Sequence, residues 1–229
     1  MARLARVVLP HIPHHVTQRG NGRAQTFFCD EDYQLYRDLL VEHCRGSGVN
    51  VWGWCLMPNH VHLVLTPEDP DGLRRVLSRV HRIYAGHIHK REKRTGHFWQ
   101  GRFGCVAMDE EHLVAALAYA ALNPVRAKLA GRAEDWRWSA VHAYRNSGKG
   151  DGVVDYRKVK PYLEAVNQII EAGEEDARFK TLRQSETTGR PIGNEEFLNA
   201  AEKQTGRSLK QGKRGPKPKK ESELSTLSP

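Results

Sequence analysis

The stretch LMPNHVHLVL, residues 56–65, is the strongest constraint on how this chain can fold. Two β-rich runs, VNVWGWCLM and HVHLVLT, are separated only by Pro58 and Asn59, a turn dipeptide, so the chain must double back as a hairpin. Strand side chains alternate between faces. Val61, Leu63 and Leu65 therefore share one face, and His60, His62 and Val64 share the other. The first face is ordinary core. The second must find partners for two imidazoles, because a buried imidazole with neither a hydrogen bond nor a metal costs free energy. A His-x-His pair on one strand face is also a bidentate metal arrangement, with both rings converging above the sheet. Satisfied core histidines are the other reading of the same pattern.

The flanking sequence extends the hairpin into a domain. HHVTQRG, residues 14–20, alternates as a first strand and runs into the loop GNGR. DEDYQLYRDLLVEHCRGSG opens on acids at Asp30, carries Tyr33, Tyr36, Leu39 and Leu40 at helical spacing, and stops at Gly46 and Gly48. Residues 73–93 put Leu73, Val76, Leu77, Val80, Ile83 and Tyr84 on one stripe of a long amphipathic helix whose opposite face is cationic. Residues 97–108, HFWQGRFGCVAM, read as a further strand. DEEHLVAALAYAALNPVRA then reads as an Ala/Leu helix capped at Asp109 and bent or ended by Asn123-Pro124. The order βαββαβα predicts an α+β domain of the ferredoxin-like split βαβ type, an antiparallel sheet with helices on it. Trp136 and Trp138 are expected to anchor a following aromatic segment. Beyond a Gly-rich loop, residues from about 156 to 209 read as two or three small helices, and the Pro/Gly/Lys/Ser-rich end as disordered when free. The organisation expected is a main domain over 1–147, a small helical region over 148–209 and a basic tail over 210–229.

Composition narrows the partners. With 229 residues, 39% of them apolar, the chain can bury one good core. No apolar run reaches eighteen residues and no secretory signal is visible, so a cytoplasmic protein is expected. Cys29, Cys44, Cys55 and Cys105 form no C-x-x-C pair and are expected to be buried thiols. The net charge of +9 is unevenly spread. Between Gly72 and Thr95 stand eight Lys/Arg against one acid, and from Lys203 to Lys220 eight more against none. Clusters of this kind are footprints for polyanions, nucleic acid first among them.

The Ala/Leu helix carries the second chemical signal. Tyr119 is the polar side chain in LVAALAYAAL, and Asn123 follows four positions later, so phenol and amide point to a common place. If that helix lies across the histidine face, His60, His62 and Asn123 could hold one cation beside the Tyr119 hydroxyl.

With these residues in view, the chain resembles the REP-associated tyrosine transposases, a group of the single-tyrosine HUH transposases (IS200-like transposase family). The resemblance rests on HHVTQRGN, LMPNHVHLVL, HFWQGRF and YAALNPVRAKLAG with EDWRWSA, in family order and spacing, followed by RPIG and a basic tail. It covers residues 6–144 strongly and the last third more loosely. The stretch YAALNP departs from relatives that carry bulkier residues between the tyrosine and the asparagine. The resemblance implies the HUH endonuclease fold, Tyr119 as nucleophile, His60, His62 and Asn123 as metal ligands, and Mg²⁺ or Mn²⁺ as cofactor. It implies a reaction on single-stranded or hairpin DNA through a 5′-phosphotyrosine, with no need of ATP; no G-x-x-x-x-G-K-[ST] loop is found. The candidate DNA contacts are Arg19 and Arg23 in TQRGNGR, Arg74, Arg75, Arg79 and Arg82 on the basic helix, Arg102, and Lys213, Arg214 and Lys217 in the tail. A monomer and a homodimer are both compatible with these features. Two rival readings stay open: a non-catalytic hairpin-DNA-binding regulator derived from a transposase, and a metal phosphohydrolase using water.

Overall fold

The computed structural model describes residues 5–145, 151–173 and 176–210. Strand β1 (His14–Arg19), helix α1 (Asp30–Arg45), strands β2 (Val49–Met57) and β3 (His60–Pro67), helix α2 (Gly72–Glu92), strand β4 (Gly104–Ala107) and helix α3 (Glu110–Arg126) follow in the expected order. The strands form one antiparallel sheet ordered β2-β3-β1-β4. This interleaving makes it the split βαβ architecture.

Register decides what each face carries. Arg19 pairs with His60, Thr17 with His62 and His15 with Val64, while Met57, Cys55 and Gly53 oppose the same three β3 residues from the other side. Directly opposed residues share a face, so His15, Thr17, Arg19, His60 and His62 stand together. The other face carries Val16, Val61, Leu63 and Leu65, all fully buried. Helices α1 and α2 cover that face; Gly72 at the start of α2 lies against Val49 and Pro67. Phe27, Tyr33, Tyr36 and Tyr84 fill the space between with stacked and edge-on rings 4.5 to 5.6 Å apart.

Helix α3 covers the histidine face. Its close approach depends on Gly53, where a Cβ would stand 2.5 Å from the Tyr144 hydroxyl and 2.7 Å from Leu117 Cδ2. The helix is capped as expected, the Asp109 side chain accepting from the His112 amide. Of the two readings of Asn123-Pro124, a bend or an end, the end is corrected, because Pro124 does not stop the helix, which runs to Arg126. A proline this near the end forfeits one intrahelical bond, and the Ala127 amide still bonds the Asn123 carbonyl.

Short helices α4 (Val141–Arg145) and α5 (Tyr156–Val159) lead to α6 (Leu163–Ala172), α7 (Ala177–Thr188) and α8 (Glu195–Thr205). Val166 of α6 and Phe179 and Leu182 of α7 belong to the same core as the sheet. Both sheet edges are covered. Leu56 and Ala140 exchange backbone bonds with Trp138 and Trp54 along β2, and Ile192 donates to Ala107 at the end of β4. Trp136 donates to the Leu56 carbonyl at 3.0 Å and Trp138 stacks on Tyr33, the anchoring expected of them.

Two further expectations are corrected. Residues 97–108 are mostly not strand: β4 has four residues, and Trp99 makes a single bridge to Gly20. Gly101, at φ 73, turns the chain between them. Of the cysteines, Cys29 is exposed and the other three are buried. No described helix is long and apolar enough to cross a membrane.

Candidate active site

The two histidines of β3 find partners of different kinds. His62 is fully enclosed, its Nδ1 3.0 Å from Nε2 of His15 on the neighbouring strand, the rings nearly parallel. His60 lies nearer the surface, its Nδ1 2.6 Å from Oδ1 of Asn59 in the hairpin turn. The Asn59 amide nitrogen donates to the Arg23 carbonyl, which fixes the amide's orientation and makes Oδ1 the atom facing His60. Burial holds all three imidazoles neutral: it pushes His15 down to about 4, His60 down to about 3 with help from Arg19, and His62 well below the usual range. Neutral imidazole is the form that ligates a metal.

Helix α3 brings Tyr119 to this cluster. Its ring stands edge-on to His62 at 5.5 Å and to His15 at 6.0 Å, with Phe179 of α7 behind it at 5.3 Å. Because α3 continues past Pro124, Arg126 lies two turns beyond Tyr119 on the same side, its guanidinium 5.4 Å from the ring centre. Tyr119 is 6% exposed and lies behind the histidines. Asn123 is buried on the same helix, and its amide nitrogen has no hydrogen-bond partner.

A cleft of about 700 Å³ opens on the histidine face, lined by His60 and His62, by Thr17 and Gln18 of β1, and by residues 186–190 at the end of α7. Four arginines line it, Arg6, Arg19, Arg102 and Arg190, against the single carboxylate Glu186. Burial raises Glu186 to about 7 even with Arg19 and Arg183 opposing the shift. His15, His62 and Glu186 offer ligand atoms within 4.8 Å of one another and could hold a metal ion.

The basic residues picked from the sequence fall into separate places. Arg19 and Arg102 line the cleft, and Arg23 is exposed in the adjoining loop at φ 63. Arg74, Arg75, Arg79 and Arg82 are on α2, against the opposite face of the sheet. Arg74 is paired with Asp71 and Arg75 with Asp69, while Arg82 lines a second groove with Phe98 and Trp99. Lys213, Arg214 and Lys217 lie outside the described residues. The chain reaches its last described residues beside the cleft, where Arg190 donates to the carbonyls of Leu209 and Lys210.

Sequence reasoning missed His15, Glu186, Arg6 and Arg190. For His15 a signal existed, since strand alternation puts it on one face with Thr17 and Arg19. For Glu186 there was none, because it reaches the site only through the packing of α7.

No curated protein matches the chain. Among solved structures, one described as a REP-associated tyrosine transposase bound to a REP hairpin aligns with a TM-score of 0.53 at 22% identity, over 67% of this chain and 90% of that one. A Deinococcus radiodurans R1 protein described as a candidate transposase aligns over 52% of this chain and 95% of its own at 21% identity, with a TM-score of 0.37, too low to bear on the fold. A family model described as "Transposase IS200 like" matches residues 10–121, a span that includes the whole sheet with His15, His60, His62 and Tyr119. Over residues 10–121, from before β1 into α3, the chain thus matches the IS200-like transposase family.

Proposed function

We propose that this protein is a metal-dependent DNA strand-transfer enzyme that cleaves and rejoins single-stranded hairpin DNA, of the REP-like kind, through a 5′-phosphotyrosine on Tyr119. The observation that carries the reading is the placing of Tyr119 edge-on to His62 beside a cleft lined by four arginines. The likeness to a hairpin-bound transposase supports the substrate class.

Each side chain has a stated task. The Tyr119 hydroxyl gives up its proton and its oxygen attacks a backbone phosphorus; a P–O bond to tyrosine forms, the P–O3′ bond breaks, and the leaving 3′-oxygen takes up a proton in its place to become a free hydroxyl. A DNA 3′-hydroxyl attacking the phosphotyrosine reverses the step, so the bond energy is conserved and no nucleotide triphosphate is consumed. Arg126 places a positive charge beside the attacking side chain, its guanidinium 5.4 Å from the ring centre. Arg19 and Arg102 neutralise phosphates entering the cleft, and residues 210–229, which begin at its rim, add salt-sensitive affinity without sequence preference.

The donor set fits a divalent cation. His60 and His62 are neutral, each has its Nδ1 engaged, and Asn123 is a buried amide on the helix that carries Tyr119, able to ligate through its oxygen. These three would hold Mg²⁺ or Mn²⁺, which when bound polarises the scissile phosphate and offsets charge growing on its oxygens. Since none of the three carries negative charge, binding of the metal should be weak until a DNA phosphate completes the site. In this reading residues 1–147 carry the chemistry, 148–209 supply the far wall of the cleft, and 210–229 serve as a DNA-binding tail.

The test is incubation of the full chain and of Tyr119→Phe with labelled hairpins drawn from repeats flanking its own gene, with Mn²⁺ or Mg²⁺, resolved on a denaturing gel. A covalent protein–DNA band that requires metal and is lost in Tyr119→Phe is expected. Hairpin binding with no adduct under either metal would leave a regulator, and cleavage retained by Tyr119→Phe would leave a water-using phosphohydrolase.

A further inference from the structure

The geometry points to a role for two residues outside the ligand set: we propose that His15 and Glu186 are positioning residues that hold the His62 proton on Nδ1 and so leave its Nε2 bare toward the cation. The inference rests on the metal reading above and names what makes His62 a competent ligand within it.

One hydrogen bond couples the two tautomers. His15 Nε2 and His62 Nδ1 are 3.0 Å apart in a fully buried setting, so one of the two nitrogens carries the shared proton and the other accepts it. A neutral imidazole has a single N–H. Two arrangements satisfy the pair. In the first, His62 donates from Nδ1, and the proton of His15 is on its far nitrogen, Nδ1. In the second, His15 donates from Nε2, its Nδ1 is a bare lone pair, and the proton of His62 moves to Nε2, which blocks that atom as a ligand.

Glu186 breaks the tie. Its Oε1 faces His15 Nδ1 at 3.7 Å, slightly longer than a hydrogen bond and too short for an intervening water. Neither atom has a hydrogen-bond partner, so each is the nearest polar group available to the other. The ionised carboxylate, the form present at pH 8, repels a lone pair and attracts an N–H, so Glu186 then selects the first arrangement. The resulting chain, carboxylate to His15 to His62, extends the carboxylate–histidine–metal motif by one imidazole.

His60 shows the same logic with different parts. There the Asn59 oxygen, oriented by the Arg23 carbonyl, requires an N–H at Nδ1 and leaves Nε2 bare. Both ligands of the His-x-His pair are thus set in the same tautomer by neighbours from other segments. The turn residue does it for His60, and β1 with α7 does it for His62.

The alternative use of the same atoms is a metal held directly by His15, His62 and Glu186. It would cost the His15–His62 hydrogen bond and leave His60 without a role.

The test uses ¹⁵N-histidine-labelled full-length protein at pH 8, free of metal and DNA, with two-bond ¹H–¹⁵N spectra assigning each tautomer. His62 and His60 are both expected to carry the proton on Nδ1. His15→Leu should move His62 to Nε2–H or to a mixture and leave His60 unchanged. Should that core variant not fold, Glu186→Ala on partly exposed α7 serves: it should give a mixed His62 tautomer, and Glu186→Gln, which still offers an acceptor, should restore it. In the hairpin complex on a Tyr119→Phe background, the variants that lose the tautomer should weaken Mn²⁺ binding by roughly ten- to a hundredfold in an EPR titration, with hairpin affinity in EDTA unchanged. The proposal is overturned if wild-type His62 carries its proton on Nε2, if its tautomer ignores His15 and Glu186, or if Mn²⁺ binding survives His60→Ala but not Glu186→Gln. A wild type with the Nδ1 tautomer that binds no Mn²⁺ beside the hairpin overturns the metal reading and leaves the hydrogen-bond chain standing.

Discussion

The two faces of the sheet solve opposite problems with the same strands. Under α1 and α2, β1 and β3 present Val16, Val61, Leu63 and Leu65 to an aromatic core, and nothing there needs a particular partner beyond shape. Under α3 and α7, the intervening residues are His15, Thr17, Arg19, His60 and His62, and each of the three imidazoles is tied to a named group. The first face stabilises. The second spends stability on neutral, oriented imidazoles, which the apolar face makes tolerable. Alternation therefore lets one strand, β3, hold the fold with its odd-numbered residues and a reactive site with His60 and His62.

That division can be broken from either side. The largest expected effect is on the apolar face: Leu63→Ala should destabilise the protein by about 2–5 kcal/mol, since a fully buried leucine leaves a cavity. Denaturant unfolding measures this, and adduct formation per folded molecule should be unchanged. If activity per folded molecule collapses with stability, the faces are not separable.

Acid should sharpen the contrast. Burial lowers His14 to about 4 and His81 to about 3, whereas in the unfolded chain they titrate near 6.5. Between those values the unfolded state binds the extra protons, so stability is intact above pH 6.5 and is lost as the pH falls toward 4. Each of the two contributes on the order of 3 kcal/mol to that loss. Thermal melts from pH 7.5 to 4.5 should show it, and His81→Phe should flatten the curve.

A smaller effect separates α3 from the sheet. Gly53→Val would press on Leu117 and Tyr144, costing about 1–3 kcal/mol, and would displace Tyr119 with the helix. Cleavage should therefore fall further than stability alone explains, which a chemically rescued melt and a single-turnover assay together resolve. The smallest effect compares arginines across the sheet. Arg102→Ala in the cleft should lower the salt dependence of hairpin binding by about one phosphate contact, and Arg79→Ala on α2 should leave it unchanged. Equal slopes for the two would put DNA on both faces.

Much of this was legible in the sequence because alternation and helical spacing are local signals. The seven-element order follows from runs such as HVHLVLT and the Leu73–Tyr84 stripe, each long enough to declare its period. The errors came where local signals compete. HFWQGRFGCVAM has strand composition over its whole length, but Gly101 turns the chain and Trp99 is spent on a hydrogen bond to the His81 carbonyl, so only its end pairs. Asn123-Pro124 looked like a stop, although one lost bond near a C-terminus is cheap.

The site was half legible. His60, His62 and Tyr119 declare themselves as polar residues in apolar runs. His15 required knowing that β1 pairs with β3, and the polar helix RQSETTG gives no hint that Glu186 faces a buried imidazole. On the basic helix, Arg74 and Arg75 pair with Asp71 and Asp69, which stand just before it and fall outside a charge count confined to α2.

The most direct test of the account is to map the covalent adduct. Protein trapped on a cleavable hairpin with Mn²⁺ is digested with protease and nuclease, and the nucleotide-bearing peptide is sequenced by mass spectrometry. The account predicts a 5′-phosphonucleotide on Tyr119 within the peptide of α3. A nucleotide on any other residue, or efficient cleavage with no residue modified, would contradict it.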